Sequence, residues 1–171
     1  MPFSETLLPE FDEEMKNTRR LLECVPDGNF DYKPHAKSMT LGRLATHVAE
    51  VPSWTAFTLD REVFDLEPGY KPTIANSRAE LLQIFDKGAA EAREKIAAAT
   101  DEEWRKIWTF NYGGKTIMSM PRSTVMRSTI MNHLIHHRAQ LGVYLRLNEV
   151  AFPGMYGPSA DEQKFQAAAG S

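Results

Sequence analysis

The chain contains 171 residues, of which 42% are hydrophobic and 25% are charged, as in an ordinary globular protein. This length predicts one domain with a single core over residues 1–171, with a frayed end at residues 167–171. A net charge of −3 argues against nucleic acid or an anionic membrane as a partner.

Cysteine content and hydropathy indicate the expected compartment. Cys24 is the one cysteine, so no internal disulfide can form and a reducing cytoplasm is expected. Residues 1–14 are rich in Asp and Glu, which argues against a signal peptide. No run of about 18 apolar residues predicts a membrane-spanning helix. We therefore expect a cytoplasmic protein.

The first predicted helix begins at Ser4, whose hydroxyl suits a helix cap, and ends at Pro26-Asp27-Gly28. Its apolar side chains recur at helical spacing, at Leu7, Leu8, Phe11, Met15 and Leu22. Cys24 lies near the C-terminal end of this helix, which is the wrong pole for a reactive thiolate, so it is expected to pack. His35, in the loop that follows, is expected to be solvated.

The second predicted helix is capped by Thr40 or Ser38 and carries His47. Its apolar stripe contains Leu41, Leu44, His47, Val51 and Trp54. Pro52 is expected to bend or interrupt the helix one turn after His47. Trp54 is then expected either to pack in the core or to form a wall of a substrate pocket.

The middle of the chain is predicted as a loop, a helix and a hairpin. Residues 60–76 contain Pro and Gly breakers and are predicted to be a loop. The capping box Ser77–Glu80 opens a third helix, and a similar box at Thr100–Glu103 opens a short helix or turn. The apolar stripe of the third helix is Leu81, Leu82, Phe85, Ala89, Ala92 and Ile96. Residues 108–118 predict a small hairpin around Gly113-Gly114.

The last predicted helix has Pro121 in its first turn and runs to about Leu147. Its stripe contains Met126, Ile130, His133, His137, Leu141 and Tyr144. The segment that follows, residues 150–158, is expected to be ordered. Tyr156 within it is expected either to reach back over the helices or to fill a gap.

Three histidines on these stripes form a candidate metal site. His133 and His137 are one helical turn apart and project from the same face, and His47 lies on the core-facing stripe of another helix. Core histidines with hydrogen-bonded nitrogens are the simpler interpretation. However, burying three imidazoles without partners would cost a few kcal/mol each, and one metal ion would satisfy all three. We predict that they meet in the core of a helical bundle around one metal ion.

The residues around the pair on the last helix receive separate predictions. His136 lies about 60° and about 100° from His133 and His137 around the helix and is not expected to be a ligand. Gln140 is a candidate to support a ligand imidazole by a hydrogen bond. Arg138 points outward and is expected to be a solvated or dimer-contact charge. Glu50, three residues after His47, is the nearest acidic candidate for a supporting group or a general base.

These segments resemble the DinB-like (DinB/YfiT) superfamily. Leu41–Ala49 is similar to the first ligand segment of that family, and the run from His133 to Leu141 is similar to the second and third. The ending Val150–Glu162 is similar to the tail of many members, whereas Ala139 stands where many have glycine. The resemblance implies an all-α, up-down four-helix bundle, with the hairpin or turn inserted before the last long helix. It also implies a solvent-open metal site of three histidines and frequent homodimers.

The predicted chemistry follows from three imidazoles that leave at least one coordination position open. All-nitrogen ligation suits Zn or Ni, with Fe or Cu as alternatives. Resemblance to the family suggests thiol-dependent transfer to a small electrophile, with a low-molecular-weight thiol as a partner. The alternatives are a metal-dependent hydrolase that activates water, and a non-catalytic bundle that binds metal or dimerises. Because residues 131–147 contain no acidic side chain to act as a base, thiol chemistry is preferred.

Overall fold

The computed structural model describes residues 1–162, so the frayed end predicted at 167–171 lies outside the described residues. The elements are, in chain order, helices α1 (Phe3–Leu22) and α2 (Leu41–Glu50), a 3₁₀ turn (Val51–Ser53), helix α3 (Trp54–Asp60), strand β1 (Val63–Leu66), helices α4 (Arg78–Ala98) and α5 (Asp101–Arg105), strands β2 (Ile107–Tyr112) and β3 (Lys115–Pro121), helix α6 (Arg122–Val125), a π-helical segment (Met126–Met131) and helix α7 (Asn132–Leu147).

The hydrophobic core lies between four of these helices. Helix α1 packs against α4 and α7, and α2 packs against the same two helices. The buried side chains come largely from the predicted stripes, and include Leu7, Phe11, Met15, Leu41, Leu44, Leu81, Phe85, Ile96, Ile130 and Leu141. Each such side chain contributes about 1.5–3 kcal/mol when it leaves water. Helical periodicity therefore identified most of this core.

Three of the predicted helix caps are present. The Thr40 hydroxyl accepts a hydrogen bond from the Arg43 amide (3.1 Å), and the Ser77 hydroxyl accepts one from the Glu80 amide (3.2 Å). Thr100 and Glu103 form a reciprocal capping box at the start of α5. These caps satisfy backbone donors that have no partner inside the helix.

The cap predicted at Ser4 is wrong. Helix α1 already begins at Phe3, so Ser4 lies within its first turn. The Ser4 hydroxyl instead donates to the Ala99 carbonyl (3.0 Å) and accepts from the Trp104 indole nitrogen (2.8 Å). This hydroxyl therefore fastens α1 to the distant segment around α5, a tertiary contact that the local pattern does not show.

The predicted fold class, an all-α, up-down four-helix bundle, is also wrong, because a three-stranded sheet and additional short helices accompany the four helices that surround the core. Strand β2 pairs in parallel with β1 and antiparallel with β3, in the order β1-β2-β3. The predicted hairpin of β2 and β3 is confirmed, with Gly113 and Gly114 at φ values of 56° and 76° in its turn, a conformation that glycine adopts without strain. Strand β1 lies in the segment predicted as a loop. With four residues it carries too little periodicity to be seen, and its pairing partner lies more than forty residues later.

Two irregularities interrupt the long helices. Pro52 falls in the 3₁₀ turn between α2 and α3, as its missing amide hydrogen predicts. In the last helical run, Pro121 directly precedes α6 instead of lying in its first turn. A π-helical segment then separates α6 from α7. Such segments shift the side-chain register and are frequent near functional sites. Within residues 1–162, no helix combines the length and hydropathy needed to cross a lipid bilayer.

Candidate metal centre

The three predicted histidines meet between α2 and α7. His47 is buried on α2, while His133 and His137 are half-buried on α7. One ligand nitrogen from each ring lies within 4.8 Å of the other two. The Nε2 atoms of His47 and His133 are 2.9 Å apart, and the ring centroids are separated by 4.6–5.0 Å. Side chains that are 86 residues apart in the chain therefore share one point in the fold.

Hydrogen bonds at Nδ1 fix the orientation of two of the rings, those of His47 and His137. His47 Nδ1 lies 2.8 Å from Glu50 Oε1, and His137 Nδ1 lies 2.7 Å from Gln140 Oε1. Both oxygens are acceptors, so each Nδ1 carries the proton and each Nε2 keeps a free lone pair. A metal-binding imidazole usually donates a hydrogen bond of this kind from the ring nitrogen that does not bind the metal.

The surroundings of His133 and His137 favour neutral rings. Burial and, to a smaller extent, the neighbouring imidazoles of His137, His47 and His136 together lower the pKa of His133 to about 4. Burial also lowers the pKa of His137, partly offset by its hydrogen bond to Gln140. Neutral imidazole is the form that binds metals, so both rings are ready as ligands at neutral pH.

The spacing is compatible with one metal ion. Imidazole nitrogens lie about 2.0–2.1 Å from zinc, so two of them on one ion are about 3.0–3.4 Å apart. The 2.9 Å between the Nε2 atoms of His47 and His133 is close to this range. Without a metal, the same contact is a hydrogen bond between two imidazoles, and it accounts for only two of the three rings. The donor set of three nitrogens suits a metal better.

Trp54 borders the cluster on one side. Its ring centroid lies 5.5 Å from that of His47 and 5.2 Å from that of His133, with the indole nearly perpendicular to His133. The indole is half-buried and belongs to the first turn of α3, directly after the 3₁₀ turn at Pro52. Trp54 is therefore an apolar wall of the candidate centre.

The other two histidines lie outside the cluster. His136 is exposed, and its ring stands 4.9 Å from that of His137 without joining the group of convergent nitrogens. His35 is exposed, and its Nδ1 accepts a hydrogen bond from the Lys37 amide (3.2 Å). The helical wheel separated His136 from its neighbours correctly.

The outward position predicted for Arg138 is wrong. Its side chain is 2% exposed and forms an ion pair of 2.6 Å with Glu14. It also donates to the Thr18 hydroxyl and the Tyr156 hydroxyl. The partners of Arg138 lie in α1 and in the tail, so nothing near it in the sequence indicates its burial.

Arg43 was missed by the sequence patterns. Its Nη2 atom lies 3.2 Å from Glu50 Oε1, the oxygen that also contacts His47. The spacing of Arg43, His47 and Glu50 at i, i+4 and i+7 is visible in the sequence. A charged side chain on a helix face is usually solvated, however, so this spacing alone did not indicate a role.

The mixed fold of helices and a three-stranded sheet and the convergent imidazoles define a protein with a candidate three-histidine metal site. The model of the DinB family matches residues 1–168, and the chain belongs to the DinB family. The chain is 25% identical over 162 residues to YrdA, an uncharacterized protein of Bacillus subtilis (strain 168), covering 91% of this chain and 89% of YrdA.

Two crystal structures share the fold. A DinB-like protein from Bacillus cereus ATCC 10987 has a TM-score of 0.71 at 21% identity, covering 91% of this chain and 98% of that one. The DinB-like protein YjoA from Bacillus subtilis has a TM-score of 0.66 at 17% identity, covering 88% and 97%. At these identities, the two structures support the fold and leave the chemistry open.

Proposed function

We propose that the protein is a metal-dependent enzyme that transfers a low-molecular-weight thiol to a small electrophile. His47, His133 and His137 hold one divalent transition metal, preferably Zn or Ni, with Fe or Cu as alternatives. The observation that carries the proposal is the convergence of three ligand nitrogens within 4.8 Å of one another, with the two outer nitrogens of His47 and His137 already hydrogen-bonded.

Three protein ligands leave at least one coordination position for a reactant, as in catalytic sites. A metal held in this way acts as a Lewis acid and lowers the pKa of a thiol or water that it binds. Trp54 covers one flank of the site and limits access of water there.

The position of Glu50 favours thiol chemistry over hydrolysis. Hydrolysis uses a general base next to the attacking water. Among residues 1–162, Glu50 is the one carboxylate that is hydrogen-bonded to a candidate ligand. It contacts Nδ1 of His47 and also pairs with Arg43. The Glu50 carboxylate contacts Nδ1 of His47, on the side of the ring that faces away from Nε2, and is therefore not next to a water bound at the metal. A thiol, by contrast, would release its proton to solvent on binding the metal and react as the thiolate, so it needs no such base.

Metal analysis of protein purified without an affinity tag tests the first part of the proposal. We expect about one equivalent of metal per chain in the wild-type protein and in His35→Ala, whose histidine is exposed. We expect none in His137→Ala. Equal metal content in His137→Ala and His35→Ala would refute the site.

Thiol binding tests the second part. The cobalt-substituted protein should change its charge-transfer absorption when a small thiol is added. If thiols leave the spectrum unchanged while an ester or amide is cleaved, the hydrolase alternative is correct. If the metal is bound and neither reaction occurs, the protein is a non-catalytic metal-binding protein.

The proposal includes a homodimer in a reducing, cytoplasmic compartment, where a small thiol stays reduced. Helix α7 presents Val143 and Leu147 one turn apart with 59% and 54% of their surface exposed, and such a pair suits a partner surface. Sedimentation analysis should give twice the mass of the chain. A monomer at micromolar concentration would refute this part.

A further inference from the structure

Three polar side chains follow one another along a single face of α2. Arg43, His47 and Glu50 are spaced by four and then three residues, which places them in one row. We refer to these three residues as the α2 polar row. One carboxylate oxygen, Glu50 Oε1, lies 2.8 Å from His47 Nδ1 and 3.2 Å from Arg43 Nη2. The side chains of Arg43 and Glu50 are only 19% and 22% exposed.

The α2 polar row opposes the electrostatic preference of its own helix. Arg43 lies in the first turn of α2 and Glu50 is its last residue. A helix favours negative charge at its N-terminus and positive charge at its C-terminus, the reverse of this order. In addition, Arg43 Nη1 is buried and, among residues 1–162, has no hydrogen-bond partner. Since such a nitrogen costs stability, the stability of α2 does not explain this pair.

Support of the His47 ring does explain the pairing of Arg43 with Glu50. Within residues 1–162, the Glu50 carboxylate bonds only to His47 and Arg43. Arg43 therefore fixes the direction in which this carboxylate points. The carboxylate in turn accepts the Nδ1 proton of His47, which leaves Nε2 as the nitrogen with a free lone pair on the side of His133.

We propose that Arg43 is a positioning residue of the metal centre, which acts through Glu50 to fix the tautomer and orientation of His47. This inference rests on the proposed function, because it assigns Arg43 to the metal centre proposed above. Without Arg43, the Glu50 side chain is free to turn into solvent. His47 then loses the contact that selects its Nδ1–H form.

Arg43→Met tests the role, with Arg122→Met as the matched control. Arg122, like Arg43, has one buried guanidinium nitrogen, here Nε, without a hydrogen-bond partner among residues 1–162, and the whole residue is 4% exposed. It lies about three turns before His133 on the same run of helix. Long-range ¹H–¹⁵N NMR spectra of the metal-free proteins report the tautomer of His47. Competition with a chelator reports the affinity for zinc.

We expect wild-type protein and Arg122→Met to hold His47 in the Nδ1–H form. Arg43→Met should show a mixture of tautomers and bind zinc about tenfold more weakly or worse, and Arg43→Lys should recover part of the affinity. In a Glu50→Ala background, Arg43→Met should add no further loss, because Arg43 acts through Glu50. Arg43→Gln replaces Arg43→Met if the latter does not fold.

An unchanged tautomer together with zinc affinity within about twofold of wild type would overturn the role of Arg43. So would additive losses from Arg43→Met and Glu50→Ala. Failure of the proposed metal site gives a different result, because wild-type protein would then bind no zinc at all, and failure of the proposed thiol chemistry leaves zinc binding and the tautomer of His47 unchanged. In either case the tautomer of His47 in the metal-free variants still decides whether Arg43 positions the ring.

Discussion

His137 and Arg138 are neighbours in the sequence, yet they face different neighbouring helices from α7. His137 faces α2 and contributes a neutral, half-buried imidazole to the candidate metal centre. Arg138 faces α1 and forms a fully buried ion pair with Glu14. We refer to Glu14 and Arg138 as the α1–α7 ion pair. One side of the helix thus presents uncharged ligands to a site, and the other holds two opposite charges inside the fold.

The two sides also differ in how their contacts are made. The support of the metal centre is local, since Gln140 and Glu50 each lie three residues from the ring they hold. The contacts of the α1–α7 ion pair span 124 residues to Arg138 and 142 residues to Tyr156. We therefore expect changes at the metal centre to alter ligand binding, and changes at the ion pair to alter the stability of the fold.

Breaking the α1–α7 ion pair should have the largest effect. Arg138→Met keeps most of the volume of the side chain but leaves the Glu14 carboxylate buried without its cation, and we expect a loss of about 3–5 kcal/mol in the free energy of unfolding. Urea denaturation of the metal-free protein measures it. Arg127→Met, which removes an exposed pair with Glu10, should cost at most about 1 kcal/mol. Equal losses in the two variants would show that burial of the pair is unimportant.

Removing the Tyr156 hydroxyl should weaken the same region less. This hydroxyl donates to the Glu14 carboxylate (2.8 Å) and accepts from Arg138 Nη2 (2.6 Å). Tyr156→Phe leaves the ion pair in place, so we expect a loss of about 1.5 kcal/mol, near the lower end for a hydrogen bond to charged groups. Tyr70→Phe changes an exposed loop tyrosine and should leave the denaturation midpoint unaltered. A loss as large as that of Arg138→Met would mean that the tail is essential to the pair.

The sequence was informative where structure depends on nearby residues. The apolar stripes identified most of the core, and the spacing of His133 and His137 placed both rings on one face of α7. Arg138 shows the limit of this reasoning, because its burial depends on a carboxylate in α1 that helical periodicity does not reveal. Strand β1 shows the same limit, since four residues become a strand only when β2 lies beside them.

Convergence of His47 with the pair on α7 was predicted from two local patterns and one assumption about packing. Each stripe indicated a buried face, and two buried faces in a small helical protein tend to meet. The order of Arg43, His47 and Glu50 along α2 was equally visible. Its meaning depends on burial and on a shared oxygen atom, which only the folded arrangement of the side chains provides.

At the candidate metal centre, loss of the Gln140 contact should lower the affinity for zinc without changing the stability of the fold. Gln140→Ala removes the acceptor for His137 Nδ1, so zinc should bind about tenfold more weakly, equivalent to about 1.4 kcal/mol. Because Gln140 is exposed, the metal-free protein should unfold at the same urea concentration as wild type. Asn132→Ala, an exposed residue of the same helix, serves as the control for affinity. A drop in stability with unchanged zinc affinity would assign Gln140 to the fold instead.

The smallest effect that we expect is a pH dependence from His133 in the metal-free protein. Its pKa is about 4 in the folded protein against an ordinary 6.5, so the unfolded chain binds a proton that the folded chain rejects. The resulting stability is present above about pH 6.5 and is lost as the pH falls towards 4. Because the ring is partly in contact with water, we expect a loss of about 1 kcal/mol over this interval.

Urea denaturation at about pH 7 and about pH 5 measures the effect, with His133→Asn as the reference. The variant lacks the titrating ring, so its stability should fall less between the two pH values than that of wild type. His137, whose pKa is also lowered by burial, acts in the same direction in both proteins and cancels in the comparison. If wild type and variant lose the same stability, His133 is solvated enough to accept a proton, and the neutral state inferred for the metal side of α7 does not hold.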